Sequence, residues 1–407
     1  MLTNQVQVML GAVDRGDEER VRVYLDRRNS IQKINQRDWH GRTPLMRAIF
    51  RPSASIVRML LEIAPEEQVT TRDYRKQQTA LMHAIRDIDC LRLLLEHVPE
   101  QQVVAKDKYG HTALMLALST NDTNDVVATL LNWLPARQVV EKNNRGVTAL
   151  MFGMMNDKVD GVSCIQALFA HSNPEQQVLE TDHRGQNALM WAMRSRLGDT
   201  VGRVEMLLKY APEQQVLVRD RRGETALMQW VRKHSSITFT EILLRFVPEE
   251  QVMMRNERGQ IALMLAIENP NVDNMRLLLK HVPDWQINAR DNDGTMPLMY
   301  AMSLESHASV LLEYMSEEQI QEQEAMMVVN ANRTWYLDSA ARMKNIRLVR
   351  ALLLAGASLS DLSEPAMRVI EGVMCDMFQK DDVPQALRDA VVEFANRYAD
   401  LRCSKYG

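Results

Sequence analysis

The chain has little of what staples or anchors a protein. Its 407 residues include four cysteines, Cys90, Cys164, Cys375 and Cys403, and no Cys-x-x-Cys pair, so neither a disulfide framework nor a structural zinc site has the spacing it needs. A reducing compartment is the expectation. No stretch approaches the roughly 18 apolar residues of a membrane span, and the N-terminus, Met1-Leu2-Thr3-Asn4-Gln5, lacks the basic region of a secretory signal. A cytoplasmic protein without a membrane span is expected, and secretion into another cell without a cleaved signal peptide would leave no mark on this test. A basic excess is also missing: the formal net charge is −4, which argues against nucleic acid or an anionic membrane as a general partner.

Catalytic signatures are absent too. The sequence has no Gly-x-x-x-x-Gly-Lys loop, Gly-x-Ser-x-Gly elbow, His-Glu-x-x-His helix or kinase-like set. His83, His111, His183 and His234 fall at different phases of the pattern described below, so they do not converge on a metal. Cys164 and His171 stand seven apart and read as a buried thiol and a helix-end imidazole. The expectation is a non-enzyme with no catalytic residue, no cofactor and no metal.

What the chain does have is repetition. Thr-Ala-Leu-Met or a close variant begins at Thr43, Thr79, Thr112, Thr148, Asn187, Thr225, Ile261 and Met296, at intervals of 33 to 39 residues. A unit this short cannot bury its apolar face alone, so neighbours must stack. Residues 106–139 show the plan. Asp107-Lys108-Tyr109-Gly110 is a turn whose glycine supplies a positive φ, and Thr112 can cap a helix starting at Ala113. Leu114, Met115, Ala117 and Leu118 share one helical face, and Val126, Val127, Leu130, Leu131 and Leu134 make an antiparallel second helix that Pro135 stops.

Turn, short helix, loop and helix in about 33 residues, opened by Asp38-Trp39-His40-Gly41-Arg42-Thr43-Pro44-Leu45, by Asp220 to Thr225 and by Asp291 to Gly294, resemble the ankyrin repeat. That resemblance implies an all-α ankyrin-repeat solenoid of stacked helix-turn-helix units with short turn tips and a C-terminal helical cap. It sets the organisation at an N-terminal capping repeat over 1–35, an array over 36–360 with a ninth repeat near 330–358, and a helical extension over 361–407. The cap is read from Val8, Met9, Ala12 and Val13 in one helix and Val21, Val23, Tyr24 and Leu25 in the next. In the tail, Ala366 to Phe378 and Pro384 to Leu401 are expected to be amphipathic helices, with Ser363 and Asp382 as starts.

Two departures from the family pattern matter. Met replaces the usual His after Leu in all eight units, which shifts stability toward packing. The second helix gives way to Pro-Glu-Glu-Gln-Val or a relative, expected to add a helical turn. Its glutamine recurs at Gln68, Gln102, Gln138, Gln177, Gln215, Gln251, Gln286 and Gln319. We expect these amides to form a hydrogen-bonded ladder between adjacent repeats, because an amide donates and accepts at once.

The concave face of such a stack is lined by the turn tips and first helices, so the variable residues there are the candidate partner surface: Trp39, Arg47, Tyr109, Phe152, Arg184, Trp191, Arg194, Arg222, Trp230, Arg232, Lys233 and Tyr300. An Arg and aromatic band on an acidic chain suits an acidic or acidic-aromatic segment of a partner protein. Its centre is expected around Trp191, Arg194, Arg222, Arg232 and Lys233. Trp230 stands where other repeats have Ala84, Ala117, Ala192 and Ala266, and is expected to open a bend or pocket. The leading function is a non-catalytic, monomeric protein-binding scaffold. Its Leu-Met-rich divergence resembles the ankyrin-repeat effectors that intracellular bacteria deliver through a type IV system. The alternatives are an enzyme or substrate adaptor with activity in the C-terminal tail, and a binder of phospholipid or nucleic acid.

Overall fold

The computed structural model describes residues 4–26, 30–51, 53–120, 124–155, 161–194, 200–301, 304–316, 318–320, 323, 334–342, 344, 346–354 and 362–378. The chain divides into two compact units, residues 1–221 and 222–407. Each is a stack of helix pairs, and the described residues contain no named strand, only one isolated bridge between Lys142 and Thr148.

One repeat illustrates why these residues fold this way. Asp107 Oδ1 accepts the backbone N–H of Tyr109 at 2.9 Å and of His111 at 2.8 Å, closing the tip. Gly110 sits at φ +81°, and a Cβ there would lie 2.6 Å from the Asn144 backbone nitrogen of the next tip. Glycine is therefore required twice over, for its conformation and for the close approach. Thr112 Oγ1 then accepts Met115 N–H at 3.3 Å and caps the inner helix Ala113–Leu118. The outer helix Asn124–Leu131 lies against it, with Val126, Val127, Leu130 and Leu131 buried. The methionines that replace histidine at Met46, Met82, Met115, Met151, Met190, Met228 and Met264 are all buried.

The Pro-led segments form the expected extra turns, Pro65–Thr70, Pro99–Val103, Pro135–Val140, Pro174–Leu179, Pro212–Leu217, Pro248–Met253 and Pro283–Asn288. Six of them follow a residue held left-handed: Ala64, Val98, Leu134, Ala211, Val247 and Val282, at φ from 37° to 47°. Such a φ costs roughly 1–2 kcal/mol outside glycine. The glutamine offsets it. Gln138 Nε2 donates to Leu130 O and Trp133 O, both at 2.6 Å, and Gln68, Gln102, Gln215, Gln251 and Gln286 do the same at the equivalent carbonyls. These carbonyls end the outer helix: the first of each pair also accepts a backbone N–H three residues on, and the second lies past the last turn, where intrahelical donors run out.

The expected ladder between repeats is thus corrected, because each of these six amides closes its own repeat. Gln177 donates to Ser172 Oγ, and Gln319 makes a reciprocal cap with Ser316 while its Nε2 reaches Asp284 Oδ1 of the preceding repeat at 3.3 Å, the one rung of the expected kind among these eight described glutamines. Most rungs between repeats come from a different position, the residue preceding the tip, which is a cation at Arg37, Arg72, Lys106, Lys142 and Arg255 and a threonine at Thr181. Arg37 donates to Arg72 O at 3.3 Å, Arg72 to Lys106 O, Lys106 to Lys142 O at 2.8 Å, and Lys142 to Thr181 O at 3.2 Å. In the second unit Arg255 donates to Arg290 O. A cation has the reach and several protons for this, and the tips add a parallel backbone ladder: Tyr74 N–H to His40 O, Lys108 to Lys76, Asn144 to Tyr109 and His183 to Arg145, at 2.8–3.0 Å.

At the chain start, helices Asn4–Arg15 and Glu18–Leu25 bury Met9, Ala12, Val13, Val21, Tyr24 and Leu25, whereas Val8 and Val23 point outward. Near the other end, Glu364–Phe378 packs on Thr334–Arg342, and Asp338 Oδ1 accepts Ser363 N–H at 2.7 Å. The expected helix Pro384 to Leu401, with Asp382 and Cys403, lies outside the described residues.

Candidate protein-binding recess

Repeat two, which opens at Asp73, departs from its neighbours at both ends. Its tip holds one residue more: Asp73 N–H reaches Gln78 O, five positions on, where Asp38 and Asp107 reach only four, to Arg42 and His111. Gln77 takes the left-handed position at φ 57° that glycine holds elsewhere. Thr79 makes no cap bond, the inner helix Ala80–His83 ends in a 3-10 turn Ala84–Arg86, and a single residue, Asp87, joins it to the outer helix Ile88–Leu95. Repeats one and three spend three and five residues on that connection, between Phe50 and Ala54 and between Leu118 and Asn124.

The shortened connection leaves a recess of about 500 Å³ between repeats one and three. Its floor is Ile49, Phe50, Met82, Ile85 and Leu116, and its rim carries Arg42, Arg75, Lys76 and Arg86. The side chains of those four cations have no hydrogen-bond or ion-pair partner among the described residues. Arg42 alone is engaged, lying 4.7 Å over the half-exposed Phe50 ring. The two carboxylates in the lining are already occupied: Asp87 accepts Cys90 N–H at 2.7 Å, and buried Asp73 holds the His83 ring at 3.1 Å. Burial holds His83 below its ordinary pKa, against the pull of Asp73 and with help from Arg42 and Lys76. A neutral imidazole leaves a local charge balance of two carboxylates against four cations. The recess is therefore a cationic rim around an apolar floor, suited to carboxylates beside a hydrophobic side chain.

The residues expected at the partner surface fall into two groups. Those just after Leu-Met turn back to their own tip: Arg47 to Asp38 at 3.5 Å and also to Asp14, Trp191 Nε1 to Asp182 at 3.1 Å, and Tyr300 Oη to Asp291 at 2.6 Å. Burial, with the Asp291 bond, pushes the Tyr300 hydroxyl up to about 12. Where the tip is Asn143 or Asn256, the same position is apolar Phe152 or Leu265. An amide tip thus goes with no donor, and a carboxylate tip goes with one except in repeat three, where Leu116 stands at that position and Asp107 Oδ2 faces the His111 ring at 3.3 Å.

Arg194 lies 5.2 Å over Trp191 and donates to Gln186 at 2.6 Å, and Arg232 is clamped by both oxygens of buried Glu224. Trp230 is buried, donating to Ser236 O at 2.9 Å, stacked on His234 at 3.9 Å and edge-on to Phe239 at 4.4 Å, so its own loop fills the space around the ring. Trp39, Tyr109, Arg184, Arg222 and Lys233 are exposed. Trp191 and Arg194 belong to the first unit, and Arg222, Arg232 and Lys233 to the second. No group of three metal-ligating side chains occurs among the described residues. No helix among them is long and apolar enough to cross a membrane.

The recess was missed by reading for residue type. Its signal lay in spacing, since the interval from Thr79 to Thr112 is the shortest of the series and the tip Asp73-Tyr74-Arg75-Lys76-Gln77 lacks glycine.

Comparison with known proteins agrees with this architecture. A family model described as "Ankyrin repeats (3 copies)" matches residues 66–140 and 227–323. No curated protein matches the chain. Among solved structures, the chain is similar to the ankyrin repeat domain of Bcl-3, described as a unique member of the IkappaB protein family. The identity is 24% and the TM-score 0.44, over 54% of this chain and 92% of that one. The repeating unit laid out above, from its Asp-turn tip to its paired helices, is the ankyrin repeat.

Proposed function

We propose that the chain is a non-catalytic scaffold that captures a partner protein through the tips and inner helices, with its principal contact at the recess of repeat two. Ankyrin repeats are in general protein-interaction modules, and stacked repeats present an extended surface rather than an enclosed reaction chamber. The observation that carries this reading is the set of four cations, Arg42, Arg75, Lys76 and Arg86, left without side-chain ion-pair partners around an apolar floor. Unpaired rim cations favour an acidic segment and speed its encounter. Exposed Trp39 and Tyr109 supply aromatic contacts on neighbouring tips, and Arg184 and Arg194 extend the surface within the first unit. Trp191, Arg47 and Phe152 position that surface, while Arg222, Arg232, Lys233, Trp230 and Tyr300 belong to the second unit and do not contribute to the recess.

The test is site-specific photo-crosslinking from a cell lysate, with a benzophenone side chain at Phe50 and, separately, at Trp133 near the end of an outer helix. Adducts formed from Phe50 and absent from Trp133 are expected. Equal labelling at both places, or none at Phe50, would refute the reading. Action as a secreted effector in a host cytosol rests on the resemblance of the Leu-Met-rich divergence alone. A reporter fusion that never leaves its bacterial producer would remove it.

A further inference from the structure

Building on the scaffold reading, we infer that the recess of repeat two reads an extended acidic peptide with a three-residue period: two carboxylate side chains three residues apart, and an apolar side chain three residues beyond them. The arrangement of the lining sets this order. Along the stack, repeat one contributes Arg42 beside Phe50 to the lining, repeat two contributes Arg75, Lys76, Arg86 and Met82, and repeat three contributes Leu116 with Ser119 and Thr120 but no cation. Charge thus covers two successive repeats, and an apolar surface with hydroxyls follows.

The period comes from matching lengths. Packed helices stand about 8–10 Å apart, and an extended chain in the polyproline II conformation rises about 3.1 Å per residue with three residues per turn, so its side chains at i, i+3 and i+6 share one face. Three residues of extended peptide therefore advance one repeat. A helical occupant rises only about 1.5 Å per residue and would need six or seven residues for the same step. The recess holds about 500 Å³, and side chains of an extended segment fit within it, with the backbone lying across the mouth.

Asp73 cannot act as a competing internal occupant. Its Oδ1 accepts Lys76 N–H at 2.7 Å and its Oδ2 faces His83, so both oxygens are turned to the tip's own groups. The four cations keep their donors for a ligand.

The experiment is selection of a displayed random dodecapeptide library on the immobilised full-length chain, on an Arg42→Gln/Lys76→Gln/Arg86→Gln variant, and on Arg42→Lys/Arg86→Lys. The wild type should enrich peptides with acidic residues at i and i+3 and an apolar residue at i+6 or i−3. Recovery should fall ~tenfold or more on the Gln variant, the loss expected from about 1.4 kcal/mol of charged contact, and persist in large part on the Lys variant. An unchanged thermal midpoint verifies that the Gln variant is folded.

Acidic residues at i and i+4 or i and i+7, which mark a helix, would overturn the inference. So would acidic residues at alternate positions, a consensus without acid, equal recovery on the Gln variant, or no enrichment at all. The scaffold reading survives any of these if crosslinking from Phe50 still captures a protein, and it falls independently if that crosslinking fails.

Discussion

Replacing Gln251 by Leu removes one glutamine clamp while keeping apolar volume. Gln251 is fully buried, and its Nε2 donates to Leu243 O at 2.7 Å and Phe246 O at 2.6 Å. The two carbonyls are not equally dependent on it. Leu243 O also accepts Phe246 N–H at 3.2 Å, so losing the amide there costs about 0.5–1.5 kcal/mol. Phe246 O loses its side-chain donor and, buried by the leucine, costs about 1–3 kcal/mol. Against this, Gln251 Oε1 is buried without a partner among the described residues, and removing it returns about 1 kcal/mol. The net expectation is destabilisation of about 0.5–3.5 kcal/mol. Gln251→Glu should be worse at neutral pH, because a carboxylate would face two carbonyl oxygens. Its folded pKa would rise above the ordinary value of about 4.3, so the lost stability should return as pH falls through that raised pKa. Urea denaturation, with hydrogen exchange of the amides around residues 239–254, reads both effects. An unchanged urea midpoint and unchanged exchange in Gln251→Leu would show that the clamp does not hold the left-handed Val247.

Three further outcomes follow from the same geometry. Gly110→Ala should cost about 2–4 kcal/mol, since the residue keeps φ at +81° and its Cβ would meet Asn144 N at 2.6 Å; a thermal melt equal to wild type would refute it. Cys90, whose thiol burial pushes up to about 12 with Asp87 adding to the shift, should resist a thiol reagent at about pH 8 in the native protein and react only on unfolding. Rapid native labelling that mass spectrometry maps to Cys90 would count against that. Burial keeps the folded pKa of His83 below its unfolded value near 6.5. The neutral ring's stability is therefore present above about pH 6.5 and lost as pH falls below it, so the urea midpoint should drop on acidification, and by less in His83→Gln. Identical drops would exclude His83 as the source.

The repeating architecture was legible because each level of the sequence agrees with the next. Tip glycine, capping Thr and the inner-helix Leu-Met all recur in phase. The Pro-led turns were legible for the same reason. Hydrogen-bond direction was not. The glutamine recurs once per repeat and the cation before the tip in all but the one with Thr181, so periodicity alone could not say which joins neighbouring repeats and which closes its own. That depended on the left-handed residue before proline, which leaves two helix-end carbonyls within reach of the amide.

The partner surface was read by residue type, which overweighted Arg47, Trp191, Arg232 and Trp230. Each is a large side chain on the inner face, yet each spends its donor on the protein itself, on Asp38 and Asp14, Asp182, Glu224 and Ser236 O. For Arg47, Trp191 and Arg232 the commitment is set by a carboxylate eight or nine positions earlier, and for Trp230 by a carbonyl six positions later. Arg75, Lys76 and Arg86 escape this commitment in repeat two, which has a longer tip and a one-residue connection, a difference in spacing, and Arg42 of repeat one lies over the Phe50 ring instead.

The most direct test is the affinity of the protein captured from Phe50 for wild type and for Arg42→Gln/Lys76→Gln/Arg86→Gln, measured by calorimetry across a range of salt concentrations. The cationic recess predicts wild-type binding that weakens steeply with salt, and binding to the variant that is ~tenfold weaker or more and nearly flat. Equal affinities with equal salt dependence would contradict it.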